Sequence, residues 1–328
     1  MADKSQLPTL LQSQSQAKSL HEISTLLSGS VAERTLRRWL VDLVEQGKVQ
    51  RVGQGRSVKY LWSSQSQSPE FKFLAGKSSA QVTAILKQIR DLWTHTSTAL
   101  EGNTLSLGDT HFLLEEGLTI SGKPIREHQE IIGHATAIEL IYRAIGKQVD
   151  ADLCFELHKA IQSERIFDID KPYGAWKVQP NGTYIVDENN KQVYIEYAEP
   201  FYVGKLMAEV LQEINQLSVT GLTLENAHLA YAKIHAAIAH IHPFWDGNGR
   251  IARLVANLPL LNSGLPPIVI PNENRRQYIQ LLAKYELTVG QLTTQTGVWP
   301  KPELLTEFGA FCQSCYRATL EIVNLHPE

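Results

Sequence analysis

Apolar positions along the chain recur at helical spacing over most of its length, and alternate with polar ones over a few short stretches. The most continuous pattern leads in from Leu224 and places Ala227, Tyr231, Ile234, Ile238 and Ile241 on successive turns of one predicted helix. Pro243 stops it, because proline cannot continue the hydrogen-bond ladder. A second helix is predicted from near Asn248 through Ile251, Leu254, Val255 and Leu258, so residues 242–247 form a tight loop between two buried helices. Upstream, Val82, Ile85, Ile89, Leu92, Trp93, Thr96 and Leu100 predict a long helix over 81–102. Further helices are expected over 131–145, 153–162, 281–292 and 303–323. Alternation over 176–178, 184–186 and 193–197, punctuated by Pro180-Asn181-Gly182 and Glu188-Asn189-Asn190, predicts a β-rich stretch within 173–200.

The first part of the chain has a different texture. Residues 1–18 are rich in Ser and Gln and are expected to be a flexible tail. Leu20, Ile23, Leu26 and Leu27 then predict a short helix. A capping box of Ser30 and Glu33 opens a second helix, which turns Leu36, Leu40 and Leu43 inward and ends at Gly47. Two strands, 48–52 and 57–62, are joined by Gly53-Gln54-Gly55-Arg56. Helix, turn, helix, hairpin over residues 19–62 resembles a winged helix-turn-helix domain, and 63–70 (SSQSQSPE) reads as a linker to a core of 71–328. Arg34, Arg37 and Arg38 on the second helix, with Arg51, Arg56 and Lys59 on the hairpin, are candidate DNA contacts. A protein-contact module with solvated arginines is the alternative.

Composition narrows the class without choosing a function. The 328 residues are 43% hydrophobic and 20% charged with a net charge of −3, which gives no global bias toward nucleic acid or membrane. The polar start Met1-Ala2-Asp3-Lys4 and the lack of a long apolar run lead to a cytoplasmic expectation, with no membrane partner. Three cysteines do not make a disulfide framework, and Cys312-Gln313-Ser314-Cys315 lacks the second ligand pair of a zinc site.

Candidate chemistry concentrates in His242-Pro243-Phe244-Trp245-Asp246-Gly247-Asn248-Gly249-Arg250, continued to Arg253. Gly247 and Gly249 allow a backbone hollow whose N–H groups bind an anion at the positive end of the following helix. Arg250 and Arg253 lie three apart on that helix, where two cations oppose the macrodipole unless a phosphate meets them. Asp246 offers a hard oxygen for Mg²⁺, and His242 a proton acceptor. A histidine metal cluster of His235, His240 and His242 is the alternative, but its spacing is not that of a zinc helix. Base, metal ligand, anion hollow and clamps together point to nucleotidyl or phosphoryl transfer.

The run resembles the Fic family motif H-x-F-x-[DE]-G-N-G-R-x-x-R at every fixed position: His242, Phe244, Asp246, Gly247, Asn248, Gly249, Arg250 and Arg253. The resemblance implies a mainly α, Fic-type helical core with a β-hairpin flap. It also implies transfer of AMP from Mg-ATP to a Tyr, Thr or Ser hydroxyl of a protein, including itself, with release of pyrophosphate. His242 is then the base, Asp246 the Mg²⁺ ligand, and Gly247, Asn248, Gly249, Arg250 and Arg253 bind phosphates. Ser97-Thr98-Ala99-Leu100-Glu101-Gly102 is similar to the inhibitory [ST]-x-x-x-E-[GN] motif of one Fic class, which implies that Ser97, Glu101 and Gly102 close the site by pairing Glu101 with Arg253. The same resemblance puts Asn274 and Tyr278 at the adenine and ribose end, and Trp176, Lys177 and Val178 on the flap that docks the target by strand addition. Lys177 stands where the family often has arginine. Two other readings stay open, a hydrolase that removes AMP with Glu101, and a DNA-binding regulator whose core senses nucleotide. A homodimer is a further expectation.

Overall fold

The computed structural model describes residues 6–14, 16–27, 29, 31–45, 48–53, 58–62, 71–162, 168–186 and 191–324, in two units, Met1–Glu70 and Phe71–Glu328. In the first unit, α1 (Gln6–Gln12), β1 (Lys18–Ser19), α2 (Leu20–Leu26), α3 (Glu33–Glu45), β2 (Val49–Val52) and β3 (Lys59–Trp62) follow one another. The strands form an antiparallel sheet in the order β1-β3-β2, with Val49 opposite Trp62 and Val52 opposite Lys59. Residues 6–12, expected within the flexible tail, are a helix instead. Leu7 and Leu11 lie four apart on one face and bury fully beside Ile23, Leu36 and Leu40, which gives the segment a core to fold against. Ser19 caps α2, accepting from the Glu22 N–H while its own N–H donates to the Glu22 carboxylate at 2.7 Å. The expected Ser30 cap, the Gly47 stop, Gln54-Gly55-Arg56 of the expected turn and the linker 63–70 lie outside the described residues.

The second unit is helical: α4 (Ser79–Ala99), α5 (Leu107–Glu116), α6 (Ile125–Ala144), α7 (Ala151–Ile161), a hairpin of β4 (Gly182–Val186) and β5 (Gln192–Glu196), then α8 (Pro200–Thr220), α9 (Ala227–Ile241), α10 (Asn248–Val255), α11 (Leu258–Asn262), α12 (Arg275–Val289) and α13 (Thr306–Val323). The pattern read from sequence marks α9 as apolar on nearly every side, and such a helix belongs in the middle. Tyr231, Ile234, Ile238 and Ile241 are fully buried there, while its alanines let α8, α10 and α13 pack closely around it. Gly133 serves the same end on α6: a side chain there would begin 2.3 Å from the carbonyl oxygen of Ala160 on α7.

The flap differs from expectation in its first strand. Residues 176–178 are not a strand, and the sheet is two-stranded, running from Gly182 opposite Glu196 to Val186 opposite Gln192. Lys177 explains this, since its N–H donates to the Pro243 carbonyl at 2.9 Å and ties this stretch to the loop after α9.

Candidate active site

The loop between α9 and α10 is shaped by groups that saturate its own backbone. His242, at the end of α9, has φ 53° and ψ 59°, a left-handed conformation rarely taken by a residue with a side chain. Phe244 beyond it is fully buried, stacked on the His158 ring at 4.1 Å and 6°. The Asn248 side chain closes the loop, accepting from the Phe244 N–H at 2.8 Å and donating to its carbonyl at 2.8 Å. Asn248, expected among the phosphate ligands, therefore has its amide committed to the loop. Asn248→Ala leaves both polar groups of a buried residue unmet, and a loss of about 1–3 kcal/mol in chemical denaturation is expected. Gly247 takes φ 80° where a side chain would begin 2.9 Å from Ile161 Cδ1.

His158 on α7 braces this loop from behind. Its Nδ1 accepts from the Gly174 N–H at 2.9 Å, which leaves Nε2–H to donate to the Asp246 carbonyl at 3.2 Å. Burial lowers its pKa to about 4, which keeps it in that neutral form. The Asp246 side chain points outward, 63% exposed, with Arg250 Nη2 3.3 Å from Oδ2. Among the described residues no three His, Cys, Asp or Glu side chains gather as a metal cage, so the histidine-cluster alternative is not supported by their placement. Mg²⁺ fits Asp246 differently, since that ion accepts a single protein carboxylate alongside phosphate and water oxygens.

Both motif arginines are buried. Arg250 donates from Nη1 to the carbonyl of Ile161, the last residue of α7, at 3.1 Å, and its Nε–H has no acceptor among the described residues. Arg253 sits deeper. It donates from Nε to Ser97 Oγ (3.0 Å), from Nη2 to the Ser97 carbonyl (2.9 Å) and to Glu101 Oε1 (2.6 Å), and from Nη1 to Tyr278 Oη (3.1 Å). Thus Ser97, in the last turn of α4, and Glu101, just beyond its end, meet an arginine 156 and 152 residues away in sequence. Gly102 turns the chain out of the helix with φ 101°.

The position of Glu101 gives this contact its meaning. A side chain on Gly249 would begin 2.6 Å from Glu101 Oε1, so the carboxylate lies over the first turn of α10. It stands at the N-terminus of α10, where helix amides favour a negative charge. Burial works against its ionisation, but the charge and hydrogen bond of Arg253 outweigh this and hold Glu101 below its ordinary value. Its side chain remains 43% exposed. The turn that carries it is anchored as well, with Arg275 Nε donating to the Leu100 carbonyl at 2.8 Å and Asn103 Nδ2 to Glu130 at 3.0 Å.

His242 has one ring nitrogen assigned. Its Nδ1 lies 3.1 Å from the Ala239 carbonyl, and since a carbonyl can only accept, the neutral ring carries its proton there and its lone pair on Nε2. Burial, reinforced by the positive charge of Lys177, lowers its pKa to about 4.

Tyr278 is 6% exposed with its hydroxyl shared between Arg253 and His235 (3.0 Å), so it backs the arginine rather than opening toward a base. Asn274 is half-buried, its amide 3.9 Å from Cys315 Sγ. Lys177, expected on a docking surface, is 2% exposed, donating to Asn181 Oδ1 at 2.6 Å and to the Ile241 carbonyl at 3.4 Å. Trp176 packs its ring on Phe155 and Phe244, and only Val178 of the three is exposed. Cys312 and Cys315 are both buried in α13 as free thiols. No helix among the described residues is long and apolar enough to cross a membrane.

A loop with two glycines lies between two buried helices, with a histidine before it and two buried arginines after it. Residues 148–260 match the Fic/DOC family, and the chain carries a Fic domain. It is 33% identical over 204 residues to the protein adenylyltransferase fic-1 of Caenorhabditis briggsae, covering 60% of this chain and 37% of that protein. To the protein of the same name from Caenorhabditis elegans it is 31% identical over 224 residues, or 67% and 41%. The chain thus spans well under two thirds of the curated relatives it matches. Among solved structures, a Fic domain containing signaling protein from Bacteroides thetaiotaomicron superposes with a TM-score of 0.64 at 24% identity, covering 77% of this chain and 94% of that one. Fic-1 from C. elegans gives 0.55 at 23% identity, covering 93% and 81%. These structural likenesses show a shared fold.

Proposed function

We propose that this chain transfers AMP from ATP to a hydroxyl of a protein, and that Glu101 holds the activity in check. The observation that carries the reading is the Glu101 carboxylate lying over Gly249 and clamped by Arg253, an internal anion in a phosphate-shaped place. The names of the relatives support the reaction class. The acceptor oxygen bonds to the α-phosphorus, its proton passes to His242 Nε2, and pyrophosphate leaves. Asp246 would hold Mg²⁺, which would supply charge neutralisation on the triphosphate. Arg253, once Glu101 withdraws, and the α10 N-terminus bind phosphate oxygens. Incubation of Glu101→Gly protein with Mg²⁺ and ATP labelled at either the α or the γ position tests the reaction. Label on protein from α-ATP alone, with pyrophosphate released, is expected; label from γ-ATP would show phosphoryl transfer instead.

A hydrolytic reading draws on the partial exposure of Glu101, which leaves a carboxylate open to orient water. Release of AMP from a modified protein by the wild type, lost in Glu101→Gly, would favour it.

For the first unit we propose a winged helix-turn-helix that binds DNA. Arg34, Arg37 and Arg38 on α3, Arg51 on β2 and Lys59 on β3 are all exposed, while Arg56 lies outside the described residues. Arg37 also stands 3.9 Å from Glu33, an exposed pair of little cost to break. Replacing Arg34 and Arg38 together by alanine is expected to lower the salt dependence of DNA binding by about 0.9 per lost phosphate contact. An unchanged slope would count against the assignment.

A further inference from the structure

His242 adopts a conformation that its own helix does not enforce. Asn324 is the one other non-glycine residue with positive φ among the described residues. The hydrogen bond from Nδ1 to Ala239 fixes the tautomer but leaves the ring free to swing about that contact. What fixes its plane is Tyr197. The two rings are parallel within 3° at a centroid separation of 3.8 Å, and Tyr197 is only 5% exposed.

Tyr197 follows immediately after β5, and its own backbone is held at both ends. Its N–H donates to the Asn181 carbonyl at 3.2 Å, and its carbonyl accepts from Gln291 Nε2 at 3.0 Å. Asn181, just before β4, donates in turn to the Phe244 carbonyl at 3.0 Å and accepts from Lys177 Nζ at 2.6 Å. Lys177 reaches the Ile241 carbonyl with the same ammonium and the Pro243 carbonyl with its N–H, and lies 6.0 Å from the Tyr197 ring centroid. Both roots of the hairpin therefore bear on residues 242–244, Tyr197 through the His242 ring and Asn181 through the Phe244 carbonyl.

We propose that Tyr197 is the positioning residue for His242, and that through it the hairpin sets the plane in which the imidazole meets an acceptor hydroxyl. The proposal rests on the adenylyl-transfer reading. It gives the hairpin a task besides any target contact: displacing β5 moves the base, so an acceptor seated against the hairpin and a correctly aimed base come together. Stacking does this where a hydrogen bond cannot, because Nε2 must stay free to take a proton.

The test uses the full chain in the Glu101→Gly background, comparing Tyr197→Phe and Tyr197→Leu, with Tyr197→Met serving where leucine prevents folding. Phenylalanine keeps the ring and should keep the rate. Leucine or methionine should lower kcat roughly 10- to 100-fold with KM for ATP unchanged, as expected for a misaimed rather than a missing group. In histidine-labelled protein, the His242 Cε1–H resonance, assigned by its loss in His242→Ala, should lie upfield in the parent and the phenylalanine variant and move downfield in the leucine variant. Parental turnover in the leucine variant, or an unmoved resonance, overturns the proposal. A parent that labels no protein overturns the transfer reading instead, and the resonance then decides the role of Tyr197 alone.

Discussion

Glu101→Gly should raise the rate of self-labelling from α-labelled ATP by roughly 10- to 100-fold, the range expected when a competing state is removed from a two-state site. The magnitude follows from what the carboxylate does in the resting protein. It fills the first turn of α10 and takes one arm of Arg253, so a triphosphate must displace both a charge and a charge-assisted hydrogen bond. Glycine removes the competitor without burying a new group, because the side chain is partly exposed. Arg253 stays in place, since Ser97 and Tyr278 still accept from it. Acid should not imitate the mutation. Glu101 titrates below its ordinary 4.5, so the clasp is present above that value and lost only as pH falls through the depressed one. Activity of the wild type at pH 5.5 should therefore remain as low as at pH 7.5. Equal labelling by wild type and variant in a thermally intact preparation would refute the assignment of Glu101 as the restraint.

The parts of this site that were readable in the sequence are those whose chemistry is local. The glycines, histidine and arginines of 242–253 sit within one loop and one helical turn, where spacing alone fixes neighbours. Glu101 was readable through its resemblance to a known motif; nothing in the residues around it names Arg253 as the partner. What the sequence conceals is which way a polar side chain turns. Lys177 is a docking candidate through the family resemblance, yet its ammonium turns inward to Asn181 Oδ1 and the Ile241 carbonyl at the end of α9. Asn248 resembles a ligand and spends its amide on Phe244 instead. Tyr197 carried no signal beyond its place at the end of an alternating stretch, since a stacking partner 45 residues away is set by tertiary packing. In the first unit, two leucines in a polar segment were outweighed by their Ser and Gln neighbours until a core was there to receive them.

His242→Ala in the Glu101→Gly background should abolish that labelling, with a fall of about 10²- to 10⁴-fold, the usual contribution of a positioned general base. The loss is expected in kcat, with nucleotide affinity retained, because in the proposed reaction the imidazole serves the acceptor hydroxyl while the glycine loop, α10 and Arg253 serve the phosphates. A thermal shift produced by Mg-ATP should thus be the same with and without His242. The parent's pH dependence adds a second check. Burial and Lys177 lower the His242 pKa to about 4, so the base is unprotonated well below the ordinary histidine range. Activity should hold from neutral pH down to about pH 5 and fall only below it, where Nε2 takes a proton from solvent and has none to accept from the hydroxyl. An acid limb near the ordinary 6.5 would mean that the resting burial of His242 does not persist in the working enzyme. Labelling that survives the alanine substitution would remove His242 from the chemistry altogether, leaving transfer to depend on phosphate binding and orientation alone.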